Sequence, residues 1–113
     1  MIKVERSAGI PYDAPLHHDV YGVLKLTKEQ TKTTILNYSY FLPSGGADMS
    51  SAPVDRIYIV MKGSITVRGK ADDENHILNT GDILYIAAGE EREVSINNGE
   101  TAEVLVVVVD AQV

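Results

Sequence analysis

The sequence predicts an all-β fold, an antiparallel sandwich or barrel built as one domain. Three observations carry this. From residue 33 onward, short β-branched and aromatic segments alternate with turns that recur about every 8–12 residues. Only residues 27–32 (TKEQTK) look helical, and they make about one turn. The 113 residues leave room for one domain, which buries roughly 65% of its unfolded surface.

The elements follow in order. Pro11 and Pro15 keep residues 10–16 extended, and residues 21–26 (YGVLKL) form a further candidate strand. Residues 1–26 are thus expected to lie along a sheet edge of this chain or of a partner, with the barrel domain occupying 27–113. Residues 33–42 (TTILNYSYFL) read as a strand that stops at Pro43-Ser44-Gly45-Gly46. Residues 56–61 (RIYIVM) form a short strand closed by Lys62-Gly63, and residues 64–68 (SITVR) alternate polar with apolar. A charged turn at 70–74 leads to a strand at 76–78, and Thr80-Gly81-Asp82 turns the chain into 83–87 (ILYIA). Ala88-Gly89-Glu90 precedes a strand at 92–96, which ends at Asn97-Asn98-Gly99. The last strand, 103–109, is apolar almost throughout, so both its faces are expected to be covered.

Composition removes several function classes. Ten Lys and Arg stand against 16 Asp and Glu, a net charge of −6, where nucleic acid would call for a basic face. Without cysteine there are no disulfides, thiolate metal sites, iron–sulfur clusters or thiol nucleophiles. The longest strongly apolar run, 104–109, is far short of the roughly 20 residues of a membrane-spanning helix. Residues 1–10 have no hydrophobic signal region, so a cytoplasmic protein without membrane contact is the default expectation. Ser50 and Ser51 have no evident His–Asp partners, and no phosphate-binding loop of Walker or Rossmann type is present.

Two glycine-bounded segments carry the family signal. The first is Pro43-Ser44-Gly45-Gly46, followed after ten residues by Ile57-Tyr58-Ile59-Val60-Met61-Lys62-Gly63. The second is Gly81-Asp82-Ile83-Leu84-Tyr85-Ile86-Ala87-Ala88-Gly89, then Asn97-Asn98-Gly99-Glu100. In order and spacing, from about Leu36 to Val109, they resemble the two motifs of the cupin family. The resemblance implies a small antiparallel jelly-roll barrel with a site at its open end.

It also implies a metal site, and there the chain departs from the pattern. The family's first motif supplies His-x-His and then a Glu seven residues before the closing glycine, which is Arg56 here. The two His positions fall on Ser50 and Ala52, or on Met49 and Ser51. The second motif's His, three residues after its glycine, is Arg92. Arginine stays protonated and has no lone pair to give, so it cannot ligate a cation. The expectation is a cupin with no metal and no cofactor.

Two guanidiniums at a barrel mouth need anionic partners. Either Arg56 and Arg92 hold the carboxylate or phosphate of a small organic anion, for which the guanidinium fork is suited, or they pair internally with Asp48, Asp55, Glu90, Glu91 or Glu93. Pleat alternation places Tyr58 and Val60 beside Arg56, and Val94 and Ile96 beside Arg92. Tyr38, Tyr40 and Tyr85 are further candidates to line the pocket, each with an apolar wall and a hydroxyl. Asp48 is a candidate counter-ion to the arginines, or a general base, although neighbouring arginines would hold its pKa down. Met49 and Met61 read as gap-filling core residues. Of the adjacent His17 and His18, at most one can join a given site. The choice lies between a surface or interface role and an acid–base or metal-binding role at a partner's barrel mouth. His76 reads as an exposed strand residue.

The functional expectation is a metal-independent cupin binding a small anionic ligand, with isomerase- or lyase-type proton transfer as its chemistry if it is an enzyme. The alternatives are a non-catalytic interaction module with paired arginines and, as a minor reading, a metal enzyme using the N-terminal histidines. The apolar 104–109 run and the N-terminal segment suggest a homodimer formed through sheet edges.

Overall fold

A computed structural model describes residues 1–71 and 74–110, so Asp72 and Asp73 of the charged turn and the last three residues of the barrel domain lie outside the described residues. Strands dominate the chain. They are β1 (Ile10–Tyr12), β2 (His17–Leu26), β3 (Thr34–Ser50), β4 (Asp55–Lys62), β5 (Ser64–Gly69), β6 (Asn75–Asn79), β7 (Ile83–Ile86), β8 (Arg92–Ile96) and β9 (Ala102–Val109). The helical turn α1 (Lys28–Thr31) sits between β2 and β3. It is closed by a capping box in which the Thr27 side chain accepts from the Gln30 N–H and the Gln30 side chain accepts from the Thr27 N–H.

All pairings are antiparallel, in the order β6-β5-β8-β3-β9-β4-β7, with β2 also along β3 and β1 along β2. β3 is the element the sequence divides too early. It runs through Pro43-Ser44-Gly45-Gly46 instead of stopping at Leu42. Its first half pairs with β9 (Thr34↔Val109 to Phe41↔Ala102) and its end with β8 (Gly46↔Ser95, Ala47↔Val94). The Pro-Gly segment is therefore a bend at which one strand changes partners and the sheet turns over on itself. A Cβ on Gly45 would stand 2.5 Å from the Asp19 carbonyl, which is why the bend needs glycine.

The N-terminal segment lies on its own chain's sheet, β2 pairing with β3 from His17↔Ala47 to Leu26↔Leu36. β9 is held on both flanks, by β3 and β4, so the apolar 104–109 run offers no free edge. No helix among the described residues is long and apolar enough to cross a membrane.

The core follows the pleat. Along β4 the buried residues are Arg56, Tyr58 and Val60; along β8, Arg92 and Val94; along β5, Ile65 and Val67. Phe41, Ala47, Leu78, Ile86, Ala102 and Val104 complete the packing. Ile65 is 0% exposed. Ile65→Ala is expected to cost about 2–5 kcal/mol by urea denaturation, the usual range for a large aliphatic removed from a closed core. A loss under about 1 kcal/mol would mean that the barrel centre is loosely packed.

Candidate functional site

Residues opposite one another in a ladder share a face, so the register shows which side chains enter the barrel. Arg56 faces Ile86 on β7 and Val108 on β9. Arg92, Val94 and Ile96 share a face of β8, and Val94 stands in line with Ala47 and Val67. Both arginines are 6% exposed and Tyr58 is 5% exposed. The two positions singled out by the motif spacing, Arg56 and Arg92, thus both lie buried on inward faces of the barrel.

Their partners are neutral. Arg92 donates from Nε to the Tyr58 hydroxyl at 2.7 Å, and from Nη1 to the Ser50 hydroxyl and the Asp48 carbonyl, each at 3.1 Å. Arg56 donates from Nη2 to the Glu90 carbonyl at 3.4 Å, while its Nε is buried without an acceptor. Burial, followed by the Arg92 charge, holds the Arg56 pKa below its ordinary value, against the pull of Tyr58 and Glu90.

None of the ion pairs among the described residues includes either arginine. The acids named as internal partners are engaged elsewhere. Asp48 faces His18 at 3.8 Å, Glu91 pairs with Lys70 at 3.3 Å, and Glu93 pairs with Arg68 at 3.4 Å. Asp55 accepts the Ala88 N–H and Glu90 the Ala87 N–H, so each carboxylate braces the turn before β8. The Asp48 counter-ion role therefore fails: its exposed carboxylate points to His18, and only its backbone oxygen reaches Arg92.

Three of the candidate tyrosines lie away from the arginines. On β3 the buried residues are Ser39 and Phe41, which turns Tyr38 and Tyr40 to the outer face. There the two rings sit 4.8 Å apart, the Tyr38 hydroxyl donates to Glu103 at 3.0 Å, and both line an outer groove with Leu36, Met61 and residues 4–6. Tyr85 pairs with Ile57 on the outward register of β7 and is 58% exposed.

Two residues join the interior that strand pattern and motif spacing do not identify. His17 stands opposite Ala47, in the row that continues to Val94 and Val67, all three buried at 1–3% exposure. Its ring is half-buried near this chain's own Arg92 and Arg56, not at a partner's barrel mouth. Burial, and then those arginines and His18, lower its pKa, against a hydrogen bond between Nδ1 and the Pro15 carbonyl at 2.7 Å. His18, one pleat on, faces the other side. Tyr12 stands opposite Gly22 in a row that continues to Ser39 and Val104. A Cβ on Gly22 would lie 2.6 Å from the Tyr12 ring, so this glycine makes room for the ring to enter. Burial and the nearby Tyr58 raise the Tyr12 pKa. Gly22 was the one available signal, a glycine inside an apolar strand.

The loop carrying His17 is strained and clamped. Leu16 and Asp19 have φ of 59° and 50°, left-handed conformations that cost roughly 1–2 kcal/mol each. The Asp48 N–H donates to the Leu16 carbonyl at 2.8 Å, and the Ser44 hydroxyl to the Asp19 carboxylate at 2.7 Å.

The donor set does not suit the divalent metal that the motif resemblance implies. Arg56 and Arg92 offer only protons, the Arg56 Nε is itself in need of an acceptor, and no group of three or more His, Asp or Glu among the described residues could hold an ion. A cavity of about 40 Å³ opens beside Arg92, between Val67, Ile86, His76 and Glu90.

Comparison with known proteins locates the architecture. No protein-family model matches the sequence, and no curated protein does. Among solved structures, the polyketide cyclase RemF from Streptomyces resistomycificus is similar over 96% of this chain and 79% of its own, at 17% identity and a TM-score of 0.83. A predicted oxalate decarboxylase from Thermotoga maritima is similar over 96% and 98%, at 16% identity and a TM-score of 0.80. An RmlC-like cupin from Shewanella frigidimarina is similar over 96% and 89%, at 9% identity and a TM-score of 0.75. The chain has the cupin fold, a nearly all-β antiparallel jelly-roll barrel.

Proposed function

We propose that this protein binds a small organic anion in its barrel, without a metal, through Arg56 and Arg92. The carrying observation is the pair of buried guanidiniums, neither of which is in an ion pair with a carboxylate among the described residues. Buried charge is retained at a cost in stability, and a ligand carboxylate, sugar acid or phosphate would supply the missing counter-charge. Arg56 Nε, buried without an acceptor, is the donor left for it. Oxalate, in the name of one structural neighbour, is an anion of this class. If the bound anion reacts, the fitting chemistry is proton transfer next to a carbonyl, with guanidinium holding the oxyanion and Tyr58 or His17 exchanging the proton.

Isothermal titration with acetate, oxalate, glycolate and a sugar phosphate tests this. At least one anion is expected to bind the wild type, and Arg56→Met to abolish that binding. No binding by any of them would overturn the reading.

The small cavity favours a second reading. About 40 Å³ holds little more than a few waters, and Arg92 lines it while Arg56 does not, so a ligand touching both guanidiniums must displace the packing between them. A barrel that stays filled would act as a non-catalytic interaction module, and titration would then show no response.

A further inference from the structure

The barrel site offers hydrogen-bond acceptors as well as donors, and this narrows the ligand. His17 holds its Nδ1 2.7 Å from the Pro15 carbonyl, which can only accept, so the ring proton sits on Nδ1. In the neutral ring Nε2 then carries a bare lone pair, and burial, followed by the charges of Arg92, His18 and Arg56, disfavours protonation of the ring. The ring is on the barrel-facing row, opposite Ala47, and the clamps from Asp48 to Leu16 and from Ser44 to Asp19 hold its loop.

A second acceptor lies on an inward row. Asn37 stands in line with Val106 and Tyr58, and its Oδ1 is buried without a donor. A simple anion satisfies Arg56 Nε and leaves these acceptors empty. A ligand that carries a hydroxyl beside its carboxylate can donate that one proton to one of these acceptors while the carboxylate takes the Arg56 donor.

Resting on the anion-binding reading above, we propose that His17 is a specificity-determining residue and that the ligand class is the small 2-hydroxy carboxylate. The carboxylate takes the guanidinium donors of Arg56 and Arg92, and the 2-hydroxyl donates to His17 Nε2.

The matched pair lactate and propionate tests this, since both are ionised at neutral pH and differ by the hydroxyl. Lactate is expected to bind the wild type about tenfold more tightly than propionate by calorimetry, the advantage of one additional hydrogen bond. His17→Phe keeps a flat ring but no acceptor. It is expected to bring the ratio of lactate to propionate affinity to about one.

If that variant does not fold, ¹⁵N-histidine spectra of the wild type decide. The His17 Nε2 resonance should report an unprotonated nitrogen that shifts with lactate and not with propionate. Equal affinity for the two acids, a preference that survives His17→Phe, or a proton on Nε2 would overturn the proposal while leaving anion binding intact. If neither acid binds and the other anions fail too, the anion-binding reading falls and takes this one with it.

Discussion

Arg56→Met is expected to make the protein more stable, by about 1–3 kcal/mol, while removing anion binding. Its guanidinium is 6% exposed, has one long hydrogen bond to the Glu90 carbonyl at 3.4 Å, and leaves Nε without an acceptor. Burial disfavours its charge most, and Arg92 adds repulsion against the attraction of Tyr58 and Glu90. Replacing a poorly compensated buried charge by an apolar side chain of similar length removes desolvation cost and keeps the packing. For a domain of this size each kcal/mol corresponds to about 4 °C in Tm.

Arg92→Met is expected to act in the opposite direction, with a loss of about 2 kcal/mol or more. Its guanidinium satisfies the Tyr58 hydroxyl, the Ser50 hydroxyl and the Asp48 carbonyl, and those groups would lose their donor. The two midpoints by chemical denaturation check the pair. Equal destabilisation by both substitutions would mean that Arg56 is as well compensated as Arg92, and the internally paired barrel would be the better account.

The second large effect is at the β4–β5 turn. Gly63 is the one residue between Lys62 and Ser64, with φ of 78°. A Cβ there would lie 2.5 Å from the Thr101 carbonyl and 3.1 Å from the Ala102 Cα, both backbone atoms that cannot rotate aside. The left-handed conformation costs a non-glycine roughly 1–2 kcal/mol and forced overpacking about 1–3 kcal/mol more. Gly63→Ala is therefore expected to lose about 3 kcal/mol, with β4 and its two site residues shifted. Because β4 carries Arg56 and Tyr58, anion affinity should fall with stability. A change within 0.5 kcal/mol would show that the start of β9 yields easily.

The glycines and the pleat made much of the site legible. Gly63 and Gly89, counted against the two motifs, place Arg56 and Arg92, and alternation along β4 adds Tyr58. These are local relations: a strand's period of two and a turn that only glycine tolerates are written within a few residues. The same period left Tyr38 and Tyr40 undecided. A strand shows which residues share a face, and only packing shows that Ser39 and Phe41 take the inside. Asp48 illustrates a second limit. Proximity in sequence to the ligand loop suggested a counter-ion, but a side chain's direction depends on the bend and on the neighbour it finds, here His18.

What the sequence determined by itself was the fold class and the positions of the two arginines that stand where the resembled motifs carry Glu and His. The tertiary structure decided which groups meet those arginines. His17 and Tyr12 reach the interior because β2 pairs with β3 in one register and β1 with β2 in another. A one-residue slip in either would turn those side chains to the opposite face. That register depends on burial summed over whole strands, on the Gly22 opening and on the clamps around Leu16 and Asp19, contacts between residues far apart in the chain.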